Sequence, residues 1–270
     1  MLETAPAKGG LFFMHIPKTG GRTVIRHLDQ WYDGAVVEIP TNEDIIGNAG
    51  WLDGRVICGH QFYPFRDVIG GRPNTLVVLR EPVSRVLSAF RYIERKNEHV
   101  LRGDFDARIS SLTDFIVDRE FRFHSVNMQV RMLGSAADLR RLVVDYEAGR
   151  LSALECRRHY HDALAAEADV ETLERAKERL RREDVTFGLT EQMDEFVRSL
   201  ARGIELPMPQ KIYRANAAPA WVDPRATRRQ VRDADIELAR HENYLDIELY
   251  SFAVSMLAST PSARTLDLGP

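Results

Sequence analysis

The chain has 270 residues, of which 44% are hydrophobic and 29% are charged. This is the composition of an ordinary globular protein, and it excludes the disordered and fibrous classes. The 37 basic and 40 acidic side chains give a formal net charge of -3 at pH 7. Such a chain lacks the basic excess that is typical of nonspecific nucleic-acid binding. We therefore expect no nucleic-acid partner.

The residue types also bear on ligands and on the cellular compartment. Five of the 37 basic residues are lysines and 32 are arginines. Codon usage of the source genome would explain this excess, and so would recognition of an anionic ligand, because a guanidinium matches phosphate and sulfate oxygens. Cys58 and Cys156 are too few for a disulfide framework or a cysteine zinc site. With no secretory signal and no run of about 20 apolar residues, we expect a soluble cytoplasmic protein without a transmembrane segment.

Five short runs rich in β-branched and aromatic residues predict β-strands. They are residues 11–16, 36–39, 56–58, 75–79 and 185–189. The segments between them alternate between helical patterns and loops. This alternation predicts an α/β fold of three layers, with a central, mainly parallel sheet of about five strands.

Helical periodicity is clearest in two places. Apolar residues recur at helical spacing from Pro82 onwards, and proline is well suited to the first position of a helix. Residues 104–184 contain no convincing strand but several amphipathic stretches, so we predict a helical insertion there. One apolar face in this insertion is formed by Leu173, Ala176 and Leu180.

The C-terminal part of the chain predicts one long helix and a tail. Helical periodicity covers residues 233–257, and a disordered tail is expected over residues 258–270. No internal repeat or low-complexity linker divides the sequence. We therefore expect a single domain over residues 1–270.

The first predicted strand leads into a glycine-containing loop and then into a helical pattern. Residues 17–23 read PKTGGRT. A strand, a glycine loop and a helix in this order direct backbone N–H groups and the positive end of the helix dipole at one point, which binds anions. Gly20 and Gly21 allow a phosphate to approach the backbone. The loop is P-loop-like but is not a Walker A loop, because Lys18 precedes both glycines. Further hydrogen-bond donors are expected from Thr19 and Thr23.

Taken together, residues 15–21, HIPKTGG, resemble the 5′-phosphosulfate loop of sulfotransferases. These enzymes use 3′-phosphoadenosine 5′-phosphosulfate (PAPS), and the likeness is to the carbohydrate branch similar to heparan sulfate 2-O-sulfotransferase. That branch continues with two hydroxyl residues after the glycines. Here Arg22 takes the place of the first of them, and a guanidinium can itself hold a phosphate.

The other signatures of that family follow in order. Residues 75–85, TLVVLREPVSR, resemble the 3′-phosphate signature, in which a strand ends in Arg80 and Ser88 follows eight positions later. Arg80 is expected at the sheet edge where α/β proteins bind ligands. Residues 55–63, RVICGHQFY, end a predicted strand in Gly-His, and the family has its catalytic base there, which corresponds to His60.

Three shorter segments are also similar to the family. Residues 187–191, FGLTE, resemble the strand-to-helix segment near the end of the family domain. Residues 214–216, RAN, resemble a loop that closes over the nucleotide, which adds Asn216 to the nucleotide-binding residues. The resemblance covers roughly residues 11–250. A short polar motif after the insertion is matched by Asn127, Gln129 and Arg131.

The resemblance implies an enzyme that moves a sulfuryl group from PAPS to an acceptor hydroxyl, on a carbohydrate such as a glycan or glycolipid, by in-line displacement. It implies that His60 is the general base, for which a pKa near neutrality is suitable. Lys18 would offset charge on the departing phosphate oxygen. No metal is expected. The residues implied to bind PAPS are Lys18, Thr19, Gly20, Gly21, Arg22, Thr23, Arg80, Ser88 and Asn216.

Two other functions stay open from the sequence. An ATP-dependent, nucleotide-kinase-like phosphotransferase would use a similar loop, although the position of Lys18 and the lack of a recognisable magnesium carboxylate argue against it. An inactive nucleotide-binding module is favoured only by Arg22. If the chain is an enzyme, acceptor contacts are expected from residues 61–72 and 95–160, because variable loops and insertions carry specificity.

Overall fold

The computed structural model describes residues 10–39, 55–69, 73–95, 102–203, 206–213 and 229–259. Within these residues five strands form one all-parallel sheet in the order β2-β3-β1-β4-β5. The strands are β1 (Leu11–Met14), β2 (Val36–Ile39), β3 (Val56–Gly59), β4 (Asn74–Leu79) and β5 (Val185–Leu189).

The described residues also form twelve α-helices and two 3₁₀ helices, Tyr63–Asp67 after β3 and Thr190–Gln192 after β5. The first six helices are α1 (Gly21–Trp31), α2 (Pro82–Arg95), α3 (Arg102–Arg108), α4 (Leu112–Val117), α5 (Arg119–Ser125) and α6 (Met128–Gly134). The remaining six are α7 (Leu139–Glu147), α8 (Ala153–Ala165), α9 (Val170–Arg181), α10 (Met193–Gly203), α11 (Asp233–Glu242) and α12 (Tyr244–Ser259).

The sheet lies between two layers of helices, as the alternation along β1 shows. Leu11 and Phe13 pack into a buried cluster with α1 and α10 on one face. Phe12 and Met14 pack into another with α6, α9 and α12 on the opposite face. Side chains of successive strand residues point to opposite faces, so a strand buried on both faces is continuously apolar. The predicted three-layer α/β fold with a parallel five-stranded sheet is confirmed.

The five strands lie where the apolar runs predict them, with one correction. The predicted strand 11–16 is two residues too long. The N–H of Ile16 donates to the carbonyl of Met14 at 3.1 Å, which turns the chain out of the sheet. The last ladder contact of this segment is the N–H of His15, which donates to the carbonyl of Gly59 at 2.9 Å.

The segment predicted as a helical insertion contains helices α3 to α9 and no strand among its described residues. Its seven helices run from Arg102 to Arg181, close to the predicted bounds of 104–184. The predicted apolar face is buried, with each of its members no more than 1% exposed. These members are Leu173, Ala176 and Leu180, and they contribute to the cluster that covers the sheet.

The single helix predicted over residues 233–257 is wrong, because the structure has two helices that meet at Asn243. The side chain of Asn243 accepts a hydrogen bond from the N–H of Asn127 at 2.9 Å and donates to the carbonyl of Ala239. This long-range contact fixes the helix boundary, which periodicity alone does not reveal. The predicted tail also begins too early, because α12 extends to Ser259, and residues 260–270 lie outside the described residues.

A search for membrane-spanning helices covered the described part of the chain. None of the helices there combines the length and the apolar character that crossing a bilayer requires. The longest, α12, has 16 residues and carries charged side chains such as Asp246 and Glu248.

Gly188 of β5 offers a test of how closely the sheet packs on α10. A Cβ atom at this position would lie 2.3 Å from two ring atoms of Phe196. We expect Gly188→Ala to lower the free energy of unfolding by about 1–3 kcal/mol through overpacking, as measured by urea denaturation. Gly103→Ala in α3 is the control, since no atom outside its own helix lies within 4 Å. Equal effects of the two substitutions would contradict the described packing.

Candidate functional site

The site is built at the carboxyl edge of the parallel sheet, where the chain leaves three adjacent strands. β1 lies between β3 and β4, and Met14 pairs with both Gly59 and Val77. The loop after β1 therefore emerges between the residues that follow β3 and those that follow β4. After β1 the chain continues to β2 at one end of the sheet, and after β4 it continues to β5 at the other end. Ligands of α/β proteins bind between two such neighbouring strands, where the connections diverge. The predicted residues Lys18, His60 and Arg80 all lie at this edge.

The loop between β1 and α1 leaves its helix N-terminus open to an anion. Gly20 is the N-cap of α1 in the left-handed conformation, with φ of +83°, and it has no side chain to cap the helix. The first turn carries no acidic residue. The first N–H groups of a helix lack intrahelical acceptors. The N–H groups of Gly21 and Arg22 therefore remain available to a negatively charged ligand, which the helix dipole also favours.

Two threonines and Lys18 have defined positions in this loop. The hydroxyl of Thr19 is buried and donates to the carbonyl of Ile16 at 2.9 Å, so its proton holds the loop together. Thr23 is also buried, and its N–H donates to the carbonyl of Gly20 at 2.9 Å. Lys18 has a φ of +71°, a left-handed conformation that is unusual for a residue with a side chain.

Gly21 is required because the ring of His15 lies directly against it. A Cβ atom at position 21 would be 2.0 Å from Cδ2 and 2.2 Å from Nε2 of His15. The second glycine of the motif therefore makes room for an imidazole beneath the start of α1. His15 is 8% exposed, and burial lowers its pKa well below 6.5, with further lowering by the nearby charges of His60, Arg22 and Lys18. It stays neutral at physiological pH.

Arg80 follows the last residue of β4 and extends towards the β1 loop. Its Nη1 donates to the carbonyl of Lys18 at 3.0 Å. Its Nε is buried, and no acceptor among the described residues bonds to it. The adjacent Glu81 is committed to α2, where its carboxylate accepts from the N–H groups of Val83 and Ser84. Burial lowers the pKa of Arg80, opposed by the carboxylates of Glu191 and Glu81, yet an arginine remains protonated.

Thr190 links the ends of three strands, although the sequence analysis assigned it no role. Its hydroxyl lies 2.6 Å from the carbonyl of Thr19 and 3.1 Å from that of Leu79. It therefore joins the residue after β5 to the loop after β1 and to the end of β4. Thr190 belongs to the segment FGLTE, residues 187–191. Its contacts with the other two strand ends can be inferred only once the strand order is known.

One face of α2 is turned towards Lys18. The ammonium group of Lys18 lies over the ring of Tyr92, 3.7 Å from its centroid, a cation–π contact. Ser88 precedes Tyr92 by four residues, which places the two on the same face of the helix. The helix therefore brings Ser88 towards the same loop as Lys18. Tyr92 was not identified by sequence reasoning.

His60 has the geometry of a base. Its Nδ1 lies 2.7 Å from the carbonyl oxygen of His15. Since a carbonyl only accepts, Nδ1 carries the proton and Nε2 keeps its lone pair. His60 reaches solvent, but the surrounding protein removes enough hydration to lower its pKa below 6.5, partly opposed by the hydrogen bond to His15. The ring is therefore neutral at pH 7 and able to accept a proton at Nε2.

Two predicted residues contribute differently or lie outside the description. Arg22 points to the surface, where its Nη1 pairs with Glu38 at 2.9 Å, and both side chains are more than half exposed. Such exposed pairs are weak. Asn216 lies outside the described residues. Cys58, beside the base in sequence, is 1% exposed, and burial raises the pKa of its thiol to about 12, which makes it unreactive.

Other features of the described residues lie away from this edge. One cavity of about 340 Å³ lies between β5, α10 and α12, and another of about 390 Å³ lies between α5 and the α11–α12 junction. Neither is lined by the candidate site residues. The described chain has no group of three or more His, Cys, Asp or Glu side chains arranged to hold a metal ion. The site is thus defined by converging functional groups and not by cavity size.

No protein-family model matches the chain, and no curated protein is significantly similar to it in sequence. An interpretation of function therefore has to come from the residues and geometry of the site itself. Those residues offer a helix N-terminus without a side-chain cap, a neutral histidine with a free ring nitrogen, and an arginine whose buried Nε has no acceptor among the described residues.

The contact between Gly21 and His15 can be tested by a double-mutant cycle. We expect Gly21→Ala to lower the free energy of unfolding by about 1–3 kcal/mol, because the new methyl group overlaps the imidazole. Adding His15→Ala removes the ring, so the combined loss should be smaller than the sum of the single losses. Urea denaturation of the four proteins measures this coupling. Additive losses would show that the ring does not limit position 21.

Proposed function

We propose that this protein is a sulfotransferase that transfers a sulfuryl group from PAPS to a hydroxyl group of a carbohydrate. The observation that carries the proposal is the convergence of His60, the Lys18 loop and Arg80 at one edge of the sheet. A base, a loop for a charged phosphosulfate and a separate arginine for a second phosphate are the three elements that this reaction needs.

The site suits a nucleotide with two separate anionic groups. Gly20 leaves α1 without a side-chain cap, so a phosphosulfate can accept from the N–H groups of Gly21 and Arg22 at the start of the helix. The buried Nε of Arg80 has an unused proton, which a terminal phosphate can accept. Ser88 lies on the helix face turned towards this site and would add a hydroxyl. PAPS supplies an activated sulfuryl group and carries both anionic groups.

The chain's own residues would provide proton transfer and charge stabilisation. Nε2 of His60 accepts the proton of the acceptor hydroxyl while that oxygen bonds to sulfur. Lys18 and the N–H groups at the start of α1 offset the negative charge that develops on the departing phosphate oxygen. The fixed hydrogen bond from Nδ1 to the carbonyl of His15 keeps the base in the correct tautomer. The proton ends on His60 and the electron pair on the adenosine bisphosphate.

The helical insertion packs against the segment that directly follows the base. The hydroxyl of Tyr160 in α8 donates to Oε1 of Gln61 at 2.8 Å, and Gln61 directly follows His60. Phe62 packs edge-on against the same tyrosine ring. The insertion thereby reaches the segment after β3, where the sequence predicts acceptor contacts. We propose that the acceptor bound next to this segment is a carbohydrate.

Binding of nucleotides tests the proposed sulfuryl donor and separates it from the kinase-like alternative. We expect wild-type protein to bind adenosine 3′,5′-bisphosphate, the product of transfer, and Arg80→Ala to weaken this binding at least about tenfold, because a charged hydrogen bond is lost. Isothermal titration calorimetry measures both affinities, with Arg141→Ala as an exposed control of equal charge change. Binding of ATP with magnesium in place of the bisphosphate would overturn the proposal in favour of a phosphotransferase.

The role of His60 predicts both a mutant phenotype and a pH profile. His60→Ala should reduce sulfuryl transfer by about 10²–10⁴-fold and leave bisphosphate affinity nearly unchanged. Because burial lowers the pKa of His60 below 6.5, the base stays neutral at pH 7, and the wild-type rate should fall only as the pH drops through this lowered pKa. Transfer of labelled sulfate from PAPS to a panel of oligosaccharides measures both, with the exposed His241→Ala as control. Full activity in His60→Ala would exclude this residue as the base.

A further inference from the structure

The backbone of Arg80 is held by a side chain from the helical insertion. Nε2 of Gln129 donates to the carbonyl of Arg80 at 2.9 Å, and Oε1 of Gln129 accepts from the N–H of Arg80 at 2.8 Å. One primary amide thus makes both hydrogen bonds that a neighbouring strand would make. Gln129 is 1% exposed, so water does not compete for these contacts.

Arg80 needs this partner because it lies beyond the sheet. The last ladder pair between β4 and β5 is Leu79 with Leu189. Arg80 is the next residue, and its peptide groups have no strand to pair with among those described. The side chain of Gln129 takes over that pairing, and the guanidinium then reaches the carbonyl of Lys18. A shift of this backbone would move the guanidinium away from the β1 loop.

Gln129 is itself held in place by hydrogen bonds between the first turn of α6 and α12. Its N–H donates to Oδ2 of Asp246 at 3.2 Å, and the N–H of Val130 donates to Oδ1 of the same carboxylate at 2.8 Å. Asp246 is fully buried in the first turn of α12. Asn127 caps this end of α6 and receives the N–H of Asp246 at 3.1 Å. The first turn of α6 is therefore tied to α12.

We propose that Gln129 is a positioning residue that sets the selectivity of the site for nucleotides with a 3′-phosphate over those without one. This inference rests on the proposed function, in which Arg80 holds the 3′-phosphate. Gln129 touches no part of the ligand and acts only through the direction of the Arg80 side chain. Its loss should therefore affect recognition of the 3′-phosphate and leave recognition of the 5′-phosphate unchanged.

The test compares two ligands that differ only in the 3′-phosphate. Titration calorimetry gives the affinities of adenosine 3′,5′-bisphosphate and adenosine 5′-phosphate for wild type and for Gln129→Met, which keeps the size of the side chain but removes both hydrogen bonds. We expect the preference for the bisphosphate to fall about tenfold in Gln129→Met while the affinity for adenosine 5′-phosphate is kept. Gln192→Met, at an exposed glutamine near the end of β5, is the control and should retain the wild-type preference.

The outcomes separate this inference from the proposed function. A wild-type protein with no preference for the bisphosphate would overturn the proposed function itself. A wild-type preference that persists in Gln129→Met, or a variant that weakens both ligands equally, would overturn the positioning role alone. Should Gln129→Met fail to fold, Gln129→Leu replaces it, because it removes the same two hydrogen bonds with a smaller side chain and adds no charge. The same fall in preference is expected there, and an unchanged preference would overturn the inference.

Discussion

The parallel pairing of β1 with both β3 and β4 is the constraint on which the site depends. Parallel strands end at the same edge of a sheet, and their connections must cross a face before the next strand begins. With β1 in the middle, the loop that follows it emerges between His60 and Arg80. Residues that are 42 and 62 positions away from Lys18 in the sequence thereby share one edge. The helices on both faces secure this arrangement by burying the central strands β1 and β4.

Hydrogen bonds to backbone carbonyls, more than ion pairs, hold the functional residues in place. Thr190 joins the β1 loop to the end of β4, Arg80 donates to Lys18, and His60 donates to His15. Each such bond contributes only about 0.5–1.5 kcal/mol, but leaving a buried partner unsatisfied costs about 1–3 kcal/mol. The cost of a missing partner is what makes this geometry specific. Because the acceptors are main-chain atoms, their positions follow from the path of the backbone at the edge of the sheet.

Local sequence patterns predict the elements of this protein but not the contacts between distant elements. The five strands follow from short apolar runs between turn residues, and the anion loop follows from glycines between a strand and a helix. The break at Asn243 depends on Asn127, and the fixation of Arg80 depends on Gln129. Neither interaction leaves a periodic signal, since each joins residues far apart in the chain. The need for glycine at position 21 likewise comes from the buried ring of His15.

The left-handed backbone of Lys18 shows where this protein exchanges stability for chemistry. A side chain in that conformation carries a cost of about 1–2 kcal/mol that glycine does not. Glycine at this position would relax the backbone and would also remove the ammonium group from the anion loop. One residue at this position therefore cannot both relax the loop backbone and supply the positive charge of the loop. Engineering for thermal stability would favour the glycine, whereas the proposed transfer chemistry favours the lysine.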